Sequence, residues 1–106
     1  MITTREKELS YKLVPEGSYY YGVTVVSHGV HRLLMWNDCL GVEGTDEQVK
    51  FTFRLFDVTV TGSGLLQLLR DAKRHKIDVL AVTPRHQAML GGEGLLVTAI
   101  DVEPAA

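Results

Sequence analysis

The clearest regularity in the chain is a period of two. In VKFTFRL, Val49, Phe51, Phe53 and Leu55 alternate with Lys50, Thr52 and Arg54, which predicts a strand with one face on a core and one in water. In FDVTVT the alternation resumes as Phe56, Val58 and Val60 against Asp57, Thr59 and Thr61, with its phase moved by one residue. A bulge or a tight turn near Leu55-Phe56 would return all seven apolar side chains to one side.

The period then changes. In GLLQLLRDAKRHK, Leu65, Leu68, Leu69 and Ala72 recur at i, i+3, i+4 and i+7, with Gln67, Arg70, Asp71 and Arg74 elsewhere, so an amphipathic helix is predicted over about 64–76. Such a short helix is marginal alone, and its leucine face must pack on a sheet. IDVLAVT follows at once and is apolar on both faces, as an interior strand would be. Strand, helix, strand at this spacing makes a single βαβ crossover a candidate.

Upstream, SYYYGVTVVS is rich in aromatic and β-branched residues and reads as a strand from about Tyr19 to Ser27. His28-Gly29 supplies turn chemistry, and VHRLLMW reads as the partner strand of a β-hairpin. Asn37-Asp38 ends it, with one further short strand expected near Leu40 to Val42. Beyond Pro84, PRHQAMLGGEG reads as a loop, and LLVTAIDV as the last strand. The expected organisation is a loosely ordered arm over 1–17, one α+β domain over 18–103 and a tail over 104–106. The expected architecture is a mostly antiparallel sheet of five to six strands with the one helix packed on one face.

Composition changes this picture little. With 106 residues, 45% hydrophobic and 23% charged, and a formal net charge of −2, the chain suits one globular domain and lacks the bulk charge of a nonspecific nucleic-acid binder. The single cysteine, Cys39, excludes an intramolecular disulfide. The first twelve residues hold no apolar signal core, and no apolar run approaches the ~18 residues of a membrane span. A cytoplasmic protein without a membrane partner is the expectation.

Three constellations carry candidate chemistry. Thr61-Gly62-Ser63-Gly64 lies between a strand and a helix, where backbone N–H groups can hold an anion, so Gly62, Ser63 and Gly64 are anion-binding candidates. Neither the third glycine of a dinucleotide loop nor the Gly-Lys-Ser/Thr of a P-loop is present, and a helix cap by Ser63 or Gly64, with Gln67 as capping-box partner, accounts for the same residues. At the other helix end, Arg70, Lys73 and Arg74, with His75, Lys76, Arg85 and His86 nearby, form a candidate partner surface, and Tyr19, Tyr20, Tyr21 or Trp36 could stack bases. Cations in a last helical turn also serve the helix dipole, with Asp71 as a local counter-charge, and nucleic-acid binding is therefore disfavoured.

His28, His31 and Cys39 are the weak metal candidates, because local geometry brings only the two histidines together and zinc needs at least three ligands. A Cys-His nucleophile there would lack an elbow and an oxyanion donor. Glu43, Asp46 and Glu47 lack the spacing of a calcium loop and are expected to be solvated. No cofactor is implied. The leading expectation is a noncatalytic interaction or regulatory domain that self-associates or meets a protein partner. The alternatives are a small-ligand or metal-binding domain using the His28/His31 region or Gly62 to Gly64, and nucleic-acid binding through Arg70, Lys73 and Arg74.

Overall fold

A computed structural model describes residues 11–13, 21–83 and 95–105. Eight strands and one α-helix are present among them, in two four-stranded sheets. The strands are β1 (Tyr11–Leu13), β2 (Gly22–Ser27), β3 (Val30–Met35), β4 (Cys39–Gly44), β5 (Gln48–Phe53), β6 (Phe56–Ser63), β7 (Ile77–Leu80) and β8 (Leu96–Pro104), with α1 at Leu66–Lys73 between β6 and β7. The α+β class and the mostly antiparallel pairing agree with the alternating sequence pattern. The strands divide, however, into the orders β1-β7-β2-β3 and β4-β5-β6-β8 instead of forming one sheet. A turn of 3₁₀ helix at Trp36–Asp38 redirects the chain after β3, so β4 starts the second sheet.

The hairpin at His28-Gly29 is present, with φ of 51° at His28 and 79° at Gly29. Two consecutive positive φ values twist the turn in the same sense as the strands, and glycine adopts that region without a Cβ penalty. Between β5 and β6 the phase shift is taken up by a tight turn at Arg54-Leu55, with Val49 opposite Val60 and Phe51 opposite Val58. Val49, Phe51, Phe53, Val58 and Val60 are buried and Phe56 is half-buried, but Leu55 sits at the turn tip and is 68% exposed. The expectation that all seven side chains share the core fails there because a turn residue has no sheet face.

β7 is interior, between β1 and β2, as its two-sided apolarity predicts. Among the described residues one parallel pair exists, yet the parallel neighbour of β7 is β2 and not β6, because β6 belongs to the other sheet. The segment expected as a loose arm contributes β1, whose backbone pairs with β7, and the expected tail contributes Pro104 to β8. The remainder of the arm, the start of the predicted strand at Tyr19 and Tyr20, and the predicted loop at 84–94 lie outside the described residues.

Both sheets and α1 supply one core. Val23, Val25 and Leu80 come from the first sheet, Phe51, Val58 and Val60 from the second, and Leu65, Leu68 and Ala72 from α1 and its leading residue. Two buried polar links join the sheets. The Ser27 hydroxyl donates to the Ile100 carbonyl at 2.7 Å, while the Val97 N–H donates to Thr83 Oγ1 at 2.8 Å and the Thr83 N–H donates to the Val97 carbonyl at 2.9 Å. Each satisfies a strand group that would otherwise be buried without a partner.

Candidate functional site

At the N-terminus of α1 the position an anion would take is held by a carboxylate of the chain itself. The Gly64 N–H donates to Asp46 Oδ2 at 3.2 Å and the Leu66 N–H to Oδ1 at 3.3 Å. The Leu65 N–H donates to the Asp46 carbonyl at 2.9 Å and the Gly62 N–H to that of Glu47 at 3.0 Å. The cap position is Leu65, without a side-chain cap, so neither Ser63 nor Gly64 serves as predicted. Gln67 donates instead to Asp71 at 3.2 Å, and no capping box forms. Asp46, expected to be solvated, supplies from the β4–β5 turn the negative charge that the helix dipole favours. Gly62 has a separate steric reason, since a Cβ there would overlap the Leu96 carbonyl where β8 crosses β6.

At the C-terminal end, Arg70, Lys73 and Arg74 are exposed, and Arg70 donates to the Gln67 side-chain carbonyl at 3.3 Å. Asp71, predicted on the polar face, is buried; its carbonyl accepts the Arg74 and Lys76 N–H groups and closes the helix. His75 adopts φ of 55° and lays its ring on Trp36, with centroids 4.6 Å apart and planes at 2°. Trp36 is only 4% exposed, so it belongs to the core and offers no face to a base. Tyr21 is exposed, whereas Tyr19, Tyr20, Arg85 and His86 lie outside the described residues.

His28, His31 and Cys39 do not converge. No group of three or more His, Cys, Asp and Glu side chains suited to a metal is assembled among the described residues. His28 Nε2 lies 3.4 Å from Asp101 Oδ1 in an exposed contact, and His31 points from the exposed face of β3. Cys39 borders a shallow groove of about 190 Å³ between β4 and the end of α1, together with Leu40, Lys73 and His75. Burial pushes its thiol pKa above the ordinary value, against a weaker lowering effect of backbone hydrogen bonding at Gly41. The neutral thiol is thereby favoured, the reverse of what a nucleophilic cysteine needs.

The most distinctive surface is a sheet edge that the sequence pattern did not single out. Among the described residues four strands are edges: β1 and β3 in one sheet, β4 and β8 in the other. β1 is three residues long. β4 carries a register shift around Leu40, and α1 lies alongside it. β8 is met by Ser27 and Thr83, carries Asp101 and Glu103, and ends at Pro104. Short length, bulges, charge, proline and coverage are the usual protections of an edge.

Among the described residues β3 has no bulge, no proline and no covering element, and Arg32 is its one permanent charge. The strand is six residues long and pairs with β2 in unbroken register from Val30 to Met35. It exposes Val30, Met35 and, at 66%, Leu33, while its two cationic or potentially cationic side chains are His31 and Arg32. Arg32 lies 5.6 Å over the Phe56 ring, which draws it toward the core side of the sheet. The signal in the sequence was the apolar run Leu33-Leu34-Met35, which breaks strict alternation.

No helix among the described residues is long and apolar enough to cross a membrane. Comparison with known proteins adds no relative to this geometry: no family model, curated protein or solved structure matches the chain.

Proposed function

We propose that this chain is a small noncatalytic interaction module that self-associates by adding a strand at the β3 edge. The observation that carries the reading is the combination, on one regular strand, of a side that no strand among the described residues pairs and of exposed Leu33 and Met35. Backbone hydrogen bonds supply affinity in strand addition, and the side chains set partner and register. The neutral Cys39 thiol and the scatter of His28, His31 and Cys39 leave the candidate catalytic and metal chemistries without support. Analytical ultracentrifugation over the micromolar range tests the reading. A mass that rises toward the dimer with concentration is expected, and a constant monomer mass refutes it.

A second reading is kept alive by one observation. Arg70, Lys73 and Arg74 are exposed together on α1, and a nucleic-acid or acidic protein partner remains compatible with that face. Binding to single-stranded RNA or DNA that weakens with added salt and is lost in Arg70→Ala/Lys73→Ala/Arg74→Ala would establish it. Binding insensitive to salt, or none, would remove it. The buried Trp36 weighs against base stacking in this arrangement, since the indole is covered by His75.

A further inference from the structure

We infer that two copies join β3 to β3 in antiparallel register about a two-fold axis through Leu33, uniting their first sheets into one eight-stranded sheet. The inference rests on the self-association reading above and adds to it a register and a symmetry.

The phase of the β2–β3 ladder decides which groups are available. The two-residue turn makes Ser27 and Val30 a hydrogen-bonded pair, and at the far end the Trp36 N–H donates to the Tyr21 carbonyl at 2.7 Å. The two ends agree in phase. Val30, Arg32 and Leu34 therefore direct their backbone groups to β2, and His31, Leu33 and Met35 direct theirs to the outer side, where no strand among the described residues pairs.

Only one symmetric register uses all three outward residues. With Leu33 opposite the partner's Leu33, His31 falls opposite Met35 and Met35 opposite His31, and each pair can exchange both of its backbone bonds. The exposed face then sets leucine against leucine. On the other face Arg32 falls opposite Leu34, so no like charges meet. Moving the centre to Arg32 puts two guanidinium groups directly opposite and drops one hydrogen-bonded pair. Centring on Leu34 also drops a pair, leaving only Leu33 with Met35 and its symmetry mate. A shift by a single residue would turn the outward backbone groups away from each other.

The strand is about 20 Å long at ~3.4 Å per residue, so the joined edge is small and the expected association is weak.

Self-complementarity favours a second copy over an unrelated extended peptide, which would have no reason to match Leu33 at the centre.

The test is a symmetric disulfide. A hydrogen-bonded antiparallel pair has Cα atoms about 5.5 Å apart, within the range a disulfide spans. In a Cys39→Ser background, Leu33→Cys is expected to oxidise to a covalent dimer, while Leu55→Cys, exposed at the β5–β6 turn, stays monomeric under the same conditions. Leu33→Lys, which puts two ammonium groups beside the axis, should raise the dimer dissociation constant about tenfold or more. If Cys39→Ser fails to fold, Leu33→Cys is made with Cys39 retained and the bridged peptide is identified by mass spectrometry.

A dimer by sedimentation that neither bridges at Leu33→Cys nor weakens with Leu33→Lys overturns this register and leaves self-association standing. A chain that remains a monomer throughout overturns both, including the case in which it captures an extended peptide from another protein at β3.

Discussion

β3 and β8 are both edge strands of four-stranded sheets, and they end in opposite conditions. On β8, the Val97 N–H and carbonyl are both bonded to Thr83, and the Ile100 carbonyl accepts from Ser27. On β3 the corresponding outward groups of His31, Leu33 and Met35 meet no strand among the described residues. The side chains follow the same division, with Asp101 and Glu103 exposed on β8 against Leu33 and Met35 exposed on β3. An edge is thus closed by elements distant in sequence, here by residues 73 and 14 positions away, and its own composition only reinforces the outcome.

The contrast can be broken first at β8. Gly62→Ala would force a methyl group into the Leu96 carbonyl, and because the obstacle is backbone, β8 must move away from β6. A loss of about 3 kcal/mol is expected in chemical denaturation, at the upper end of overpacking costs. Thr83→Val keeps the side-chain shape and leaves the buried Val97 N–H without its acceptor. That should cost about 1–3 kcal/mol and speed hydrogen exchange along β8.

Asp46→Ala removes the carboxylate from the α1 N-terminus and is expected to cost about 1 kcal/mol by thermal melting. Asp46→Asn, retaining one acceptor, should lose less. On the β3 edge, Leu33→Lys should leave the monomer within about 0.5 kcal/mol of the parent, since the side chain is exposed, while weakening concentration-dependent association about tenfold or more. Unequal effects on stability and assembly are what separate β3 from β8.

The smallest effect concerns Cys39 on β4. Burial raises its folded pKa above the unfolded one, so the folded state holds the proton more strongly. Its stabilising contribution is complete below the unfolded pKa and declines as pH rises through the folded value. Alkylation by iodoacetamide should therefore be slower than for an unfolded control at the same mildly alkaline pH. Equal rates would show that the groove gives the thiol no shelter.

Much of the local structure was legible in order along the chain. Alternation located β5 and β6, His28-Gly29 located the first hairpin, and leucine spacing located α1, because periodicity and turn stereochemistry act over a few residues. The candidate sites were less legible. Gly62, Ser63 and Gly64 offered amides, but the group that occupies Gly64 and Leu66 comes from Asp46, 18 and 20 residues away. His75 looked like part of a basic patch and is stacked on Trp36, while Asp71 fell outside the apolar stripe and is buried. No nearby spacing encodes these partners.

By itself, then, the sequence determined which segments extend, where they turn and which face of α1 is apolar, since each depends on local sterics and the hydrophobic period. Tertiary structure decided that the strands divide between two sheets, that β7 lies parallel to β2, that Asp46 closes the α1 N-terminus, and that β8 is met on its outer side while β3 pairs there with no strand among the described residues. Those outcomes depend on which distant backbone groups satisfy one another once the two sheets share a core. A strand carries the same unpaired groups whether or not another element arrives to meet them.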